Sequence, residues 1–344
     1  MSHTLYLGDA IEILKGLADN SVQSIVTSPP YWQLRDYKIA GQIGLESTLK
    51  CYIDNLVTVF HEARRVLKDN GTLWLNLGDS YASGGKIGAW RERENDFSSN
   101  LVGSKASQKV SNRNGCPIPD GLKLKDLMLI PHRVAIALQD DGWWVRMDNV
   151  WHKPNPMPES VNDRPTNCHE YVFLLSKSAK YFYDKEAVRE PLSQSTHSRN
   201  NYSRISKSTS KRDLGESASA FQRTGRAEPV VSQEGRNLRS VWTIPTRGFK
   251  GAHFATFPVN LARRCILAGT KIGDTVLDPF SGSGTTGVSA LQLNRNYIGI
   301  ELNPEYFALS QERITKANMG DKGEIIAPEL PTRQAKPKLQ LAMF

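Results

Sequence analysis

Residues 27–32 read Thr-Ser-Pro-Pro-Tyr-Trp, a hydroxyl and a phenol held on either side of two consecutive prolines. Ser28 can both donate and accept hydrogen bonds. Pro29 and Pro30 lack an N–H and fix their own φ, so the carbonyl beside them points in one direction. Tyr31 offers a flat face on which another planar ring can stack. A second stretch, Val-Leu-Asp-Pro-Phe-Ser-Gly-Ser-Gly-Thr-Thr-Gly at 276–287, ends a strand-like run at Asp278 and turns on Gly282, Gly284 and Gly287. Glycines there permit positive φ and close approach of a ligand to the backbone, and the N–H groups of the helix that follows face the same ligand. About 20 residues further on, Glu301 closes another strand-like run, placed to accept hydrogen bonds from a ribose. The turn carries no Gly-Lys-Ser/Thr, which disfavours a phosphate-cradling loop, and Asp278 suits a cationic or amine-bearing ligand better than a pyrophosphate.

Both stretches need strands behind them. Residues 3–10 read as a short strand ending in a Gly-Asp turn, followed by helical spacing through Ile11, Leu14 and Leu17. Residues 24–28 form a second strand. An amphipathic stripe over 48–68 (Leu49, Tyr52, Ile53, Leu56, Val59, Phe60, Ala63, Leu67) predicts a helix, then a turn at 68–71 and a buried strand from Thr72 to Leu77. A helix near 125–141, strands near 143–152 and 168–176, a helix over 257–269, the strand before the glycine turn, a helix and the strand ending at Glu301 follow. Alternation at this spacing predicts an α/β fold with a doubly wound, mostly parallel sheet. Ligands of such sheets bind outside the carboxyl ends of the strands at the switch point, so the two distant stretches can face one crevice.

The chain has 344 residues, room for a sizeable core. No apolar run approaches the roughly 18 residues of a membrane span, and the first residues lack the layout of a signal peptide. Cys51, Cys116, Cys168 and Cys265 are scattered without metal-ligand or disulfide spacing. The expectation is a cytoplasmic protein with reduced thiols, no metal and no membrane partner. The net charge of +9 is unevenly placed: residues 84–125 carry +4 and residues 185–250 carry +7. Localised positive charge binds polyanions through counterion release. Both regions lack periodicity and are rich in small polar residues, so they read as insertions, the first of them mobile. The tail beyond about 320 reads as frayed.

With these residues in view, the chain resembles the amino-methylating DNA methyltransferases of the permuted beta group. Its TSPPYW is similar to their catalytic motif and its DPFSGSGTT to their cofactor motif, in the order that marks the group. LGDA at 7–10, HFATFPVNL at 253–261 and RPTNCHEYVFLLSK at 164–177 agree, and the resemblance spans about 1–184 and 245–315. It implies a Rossmann-like methyltransferase in which 1–184 is the catalytic half (mobile insertion 84–124), 185–245 a target-recognition region, 246–318 the cofactor-binding half and 319–344 a tail. It implies S-adenosyl-L-methionine as cofactor, with Glu301 on the ribose hydroxyls. Asp278, Phe280, Gly282, Gly284 and Thr285 would line the methionine and sugar, Asp9 would reach the adenine edge, and Phe257 with Pro258 would close over the amino-acid end.

The same resemblance implies double-stranded DNA as substrate, with the target base flipped out of the duplex. Ser28 and the Pro29 carbonyl, stiffened by Pro30, would accept from the amine hydrogens while Tyr31 stacks on the base. The methyl group would pass directly, in line, driven by proximity and electrostatic positioning. His169 and Glu170 are expected to be local structural partners. A carbon-methylating enzyme needs a thiolate in a Pro-Cys setting, and no Cys here follows Pro. Ser rather than Asp before Pro-Pro-Tyr is associated in that family with cytosine N4, and a hydroxyl can also face an acceptor such as ring N3. Adenine N6 stays open as the alternative, as does a catalytically inactive DNA-binding protein. Arg199, Arg204, Arg212, Arg223, Arg226, Arg236 and Arg239 are the candidates for guanine edges and phosphates. The role is expected in restriction-modification, with a restriction endonuclease acting on the same site as partner, or as an orphan or phage enzyme, in a monomeric or homodimeric state.

Overall fold

The computed structural model describes residues 1–82, 118–191, 235–246 and 257–318. Strand β1 (His3–Leu7) passes into helix α1 (Ala10–Gly16) at Asp9, whose Oδ1 accepts from the Ile11 and Glu12 N–H groups at 2.9 and 3.0 Å. Strand β2 (Val22–Thr27) is buried along its whole length. Helix α2 (Leu49–Val66) is capped by Thr48, and its buried residues recur every three or four positions. Arg65, in its last turn, donates to the carbonyls of Leu14 at 2.7 Å and Leu17 at 2.9 Å, satisfying the end of α1.

Strand β3 (Leu67–Leu77) begins directly at the end of α2, not after a turn. The turn expected at 68–71 survives as an irregularity: Leu67 lies opposite Val22 and Thr72 opposite Ser24, so β3 bulges against its partner. Gly71 is required there, because a Cβ would fall 2.6 Å from the Leu67 side chain and 2.9 Å from the Gln23 carbonyl. Helix α3 (Ile130–Asp140) starts later than expected, since Leu129 is left-handed (φ 56°) and Pro131 occupies the first turn. Residues 118–128 lead into α3. They are tied to 80–82 by Ala82 N–H to Asp126 O (2.9 Å), Lys125 N–H to Ala82 O (2.7 Å) and Met128 N–H to Ser80 O (2.9 Å). Most of the expected insertion at 84–124 lies outside the described residues.

Strands β4 (Trp144–His152) and β5 (His169–Ser176) pair antiparallel, and β6 (Val241–Thr243) runs parallel beside β4. β6 was not foreseen: its three residues are too few to show a period. It belongs to the sheet, although the recognition region was expected to reach 245. Buried Trp242 fixes it, its ring 6.1 Å from that of Trp74, and the Trp151 indole N–H donates to the Ile244 carbonyl at 2.8 Å. Helix α4 (Val259–Gly269), β7 (Thr275–Asp278), α5 (Thr285–Gln292), β8 (Asn296–Glu301) and α6 (Pro304–Asn318) complete the order.

The strands lie in the order β1-β8-β7-β2-β3-β5-β4-β6, all parallel to their neighbours except β5. Leu277 and Ile300 join the core under α1, α2 and α3. Val276 and Tyr297, of opposite parity on the same strands, are buried outside that cluster, and α4, α5 and α6 pack in series. The sheet is therefore covered on both faces, as the expected doubly wound architecture requires. Among the described residues, those of 1–183 and 240–318 form one compact unit, and 184–191 with 235–239 belong to a second. No helix among the described residues is long and apolar enough to cross a membrane.

β2 and β7 are neighbours, with Ser24 opposite Val276 and Ile25 opposite Leu277. Just beyond that register, Thr27 Oγ1 donates to Asp278 Oδ1 at 2.6 Å, Thr286 Oγ1 donates to Oδ2 at 2.7 Å, and the Phe280 N–H donates to Oδ1 at 3.1 Å. Asp278 is 1% exposed, and burial pushes its carboxyl up to about 6 against the pull of those three bonds. The folded protein thus keeps a proton that the unfolded chain has released, so this group's contribution to stability falls as pH rises from about 4 to about 6. The stability of the wild type relative to Asp278→Asn should fall across that window by about 3 kcal/mol. Urea unfolding of both proteins below, within and above the window measures this.

Candidate active site

A cavity of about 930 Å³ is lined by the segments that follow β1, β2, β3, β7 and β8. The carboxyl ends of these parallel strands meet there, joined by the start of antiparallel β5 and the segment after β4. On one side, the Gly282 N–H donates to Glu301 Oε2 at 2.7 Å and the Asn303 N–H to Oε1 at 2.8 Å. Burial outweighs these bonds and raises the Glu301 carboxyl above its ordinary range. Each carboxylate oxygen retains a second lone pair for a ligand hydroxyl. Asp9, Phe257, Phe280, Gly282 and Thr285 also line the cavity. Phe280 serves both wall and core, its ring edge-on to Phe60 at 6.4 Å.

Three residues expected on this wall stand behind it. Asp278 is buried, and its oxygens are engaged by Thr27, Thr286 and the Phe280 N–H, so it braces the loops and does not face the cavity. Gly284 has φ 77°, and a Cβ there would meet Ser310 and Ile314 at 3.0 Å, so its bareness serves the packing of α6. Pro258 caps α4, its carbonyl accepting from the Leu261 N–H at 2.9 Å.

On the other side stand Ser28, Pro29, Pro30 and Tyr31. The Tyr52 hydroxyl donates to the Pro30 carbonyl at 2.8 Å and pins the double-proline turn. Tyr31 Oη donates to Glu170 Oε2 at 2.8 Å and accepts from Asn76 Nδ2 at 2.9 Å. Asn76 Nδ2 also reaches Glu170 Oε2 at 2.9 Å and Ser28 Oγ at 3.3 Å. Lys153 Nζ closes the network on Glu170 Oε1 and lies 4.5 Å from the Trp151 ring centroid. Burial, then the Glu170 charge, pushes the Tyr31 phenol well above its ordinary range, so it stays a donor. Gly78 makes room for this ring, because a Cβ would lie 2.7 Å from it. Trp32 does not share the cavity: it is buried, and its indole N–H donates to the Glu46 carbonyl at 3.0 Å.

Asn76, Lys153 and the part played by Glu170 were missed. Asn76 carried a signal, a polar residue inside the apolar run Leu-Trp-Leu-Asn-Leu. Its partners did not, because only the β3–β5 register, with Asn76 opposite Val172, brings Glu170 two residues away on the same face. Of the arginine candidates, Arg236 and Arg239 lie in the second unit, donating to Glu190 Oε2 at 3.0 and 2.8 Å. Arg199, Arg204, Arg212, Arg223 and Arg226 lie outside the described residues.

Residues 22–312 match the family model of the N6/N4 DNA methylases. The chain is 48% identical over 315 residues to the Type II methyltransferase M.Cfr9I of Citrobacter freundii, covering 90% of this chain and 87% of that protein. It is 45% identical over 312 residues to the Type II methyltransferase M.SmaI of Serratia marcescens, covering 91% and 90%. The fold is shared with the PvuII DNA methyltransferase (cytosine-N4-specific), at a TM-score of 0.56, 20% identity and coverage of 94% and 93%. It is also shared with TTHA0409 of Thermus thermophilus in complex with S-adenosyl-L-methionine, at a TM-score of 0.55, 23% identity and coverage of 92% and 95%. The chain belongs to the N6/N4 DNA methylase family, the S-adenosylmethionine-dependent enzymes that methylate amino groups of DNA bases.

Proposed function

We propose that this methyltransferase acts on the exocyclic N4 of cytosine at a specific site in duplex DNA, with the base flipped into the cavity beside Tyr31. The observation that carries this reading is the setting of Ser28. Its neutral hydroxyl, rather than a carboxylate, stands at the cavity wall within reach of the Asn76 amide and 3.5 Å from Tyr31 Oη. Such a group accepts from an amine hydrogen and can also face ring N3. Residues 185–245 would read the site, and an endonuclease acting on the same sequence is the partner this reading calls for.

When bound, S-adenosylmethionine supplies a sulfonium methyl group; the protein's task is to place an amine in line with it. Glu301 would hold the ribose hydroxyls, with Phe280, Gly282, Thr285, Asp9 and Phe257 completing that wall. Tyr31 would carry the base on its face, its ring held by the bonds to Glu170 and Asn76. Ser28 and the Pro29 carbonyl would take the amine hydrogens and favour a pyramidal nitrogen, whose lone pair can then attack. No covalent bond to the protein is needed, and the rate comes from positioning.

Nucleoside mass spectrometry of DNA treated with the pure protein should find N4-methyldeoxycytidine, and sequencing should place it at one site. N6-methyldeoxyadenosine in its place would overturn the cytosine assignment and leave amine methylation standing. Single-turnover rates should separate the catalytic residues. Tyr31→Phe should be slowed about tenfold, because one hydrogen bond of about 1–1.5 kcal/mol orients the ring, and Tyr31→Ala should lose a further 1–3 kcal/mol or so of stacking. Ser28→Ala should lower the rate far more than it weakens DNA binding in gel shifts. Glu301→Gln should weaken S-adenosylmethionine binding about 10- to 100-fold by calorimetry, the loss expected for hydrogen bonds to a charged acceptor.

A further inference from the structure

The segment between β4 and β5 runs along the cavity rim and begins Lys-Pro-Asn-Pro-Met-Pro-Glu. Met157 lies between Pro156 and Pro158, lines the cavity and is 70% exposed. A lone exposed apolar residue needs no explanation; the bracing on both sides of this one does. Two residues before it, Asn155 Nδ2 donates to the Thr246 carbonyl at 2.9 Å, and the Thr246 N–H returns to Asn155 Oδ1 at 2.9 Å. Thr246 Oγ1 adds a bond to the Asn155 carbonyl at 3.3 Å. Two residues after it, Glu159 Oε2 accepts from Arg164 Nη1 at 2.7 Å and from the Asn167 N–H at 3.2 Å. The Arg164 guanidinium in turn lies 3.9 Å from the Tyr81 ring centroid. Three prolines and these bonds hold Met157 out at the mouth of the cavity that would receive the base.

We propose that Met157 is a wedge: on binding duplex DNA its side chain enters the base stack where the target base has left, and holds that base in the cavity. This rests on the base-flipping reading above. Extrusion costs the base its stacking and pairing, and proteins that unstack DNA insert Met, Leu, Ile, Phe or Pro between base steps. Methionine suits the task because it is unbranched, polarizable and attracted to aromatic faces. The proline-stiffened loop leaves little backbone entropy to be lost when the wedge goes in. Leu34, on the same rim and 50% exposed, is the competing candidate and supplies the control.

The test uses the full chain and a duplex carrying the mapped site, with a fluorescent analogue at the target position: pyrrolo-cytosine, or 2-aminopurine if the target is adenine. The fluorescence of either analogue rises when it leaves the stack. Wild type and Met157→Leu should raise the signal, whereas Met157→Ala should lose most of the rise and methylate the unlabelled duplex about tenfold more slowly. An abasic site opposite the target base lowers the cost of extrusion, and there Met157→Ala should regain a rate close to that of wild type. Its melting temperature and cofactor affinity should match those of wild type. The wedge is overturned if Met157→Ala keeps the signal and rate, if it is equally slow on the abasic duplex, if its melting temperature drops, or if Leu34→Ala alone reproduces the loss. No rise with wild type would sink base flipping itself, and with it the wedge; a rise with wild type that Met157→Ala retains would sink only the wedge.

Discussion

One buried carboxylate holds the two halves of this site in register. Asp278 takes hydrogen bonds from Thr27, the residue before Ser28, from Thr286 on α5, and from the backbone of Phe280 on the cavity wall. The turn after β2 and the turn after β7, both of which line the cavity, are thereby built on the same two oxygen atoms. Transfer between two ligands tolerates little misplacement, since a displacement of about 1 Å can cost a hundredfold in rate. A charged group in a dry place is an expensive brace, and the raised pKa of Asp278 reflects that cost. An apolar residue in its place would leave Thr27 Oγ1 and the Phe280 N–H without this acceptor, and would leave Thr286 Oγ1 only the Val26 carbonyl at 3.2 Å.

The second polar network serves a single ring. Glu170 is balanced by Lys153 and spends its other oxygen on Tyr31 and Asn76, while bare Gly78 leaves the space the ring occupies. Glu170 lines the cavity itself and supports the Tyr31 ring there. The hydroxyl of Tyr31 therefore fixes the orientation of its ring at the cavity wall.

What the sequence made legible follows the range of the interactions involved. The hydroxyl-proline-proline-tyrosine turn, the glycine turn and most of the stripe of α2 are written within a few residues each and form where the spacing puts them, although Asp278 and Gly284 stand behind the cavity wall and Leu67 begins β3. The late start of α3 hangs on one left-handed residue, Leu129, and β6 on a tryptophan contact with Trp74, far away in the chain. Asp278 misled because its type suggested a ligand, whereas its partner Thr27 lies 251 residues away. The glycines divided in the same way: Gly284 makes room for Ser310 and Ile314 of α6, and Gly287 for Ile314 and the Tyr297 ring of β8, neighbours that are all distant in the chain.

The placement of β2 between β3 and β7 also has a bearing on how the chain is made. During synthesis β2 and β3 emerge early, but the strand that covers the other edge of β2 is translated only as the ribosome reaches Thr275–Asp278. Until then that edge offers unpaired N–H and carbonyl groups on a strand buried at every position in the finished protein, the kind of surface that recruits chaperones or sticks to itself. Closing so long a loop is slow. The cavity, walled by the segments after β2, β7 and β8, therefore cannot form until β7 and β8 have been made and have docked beside β2.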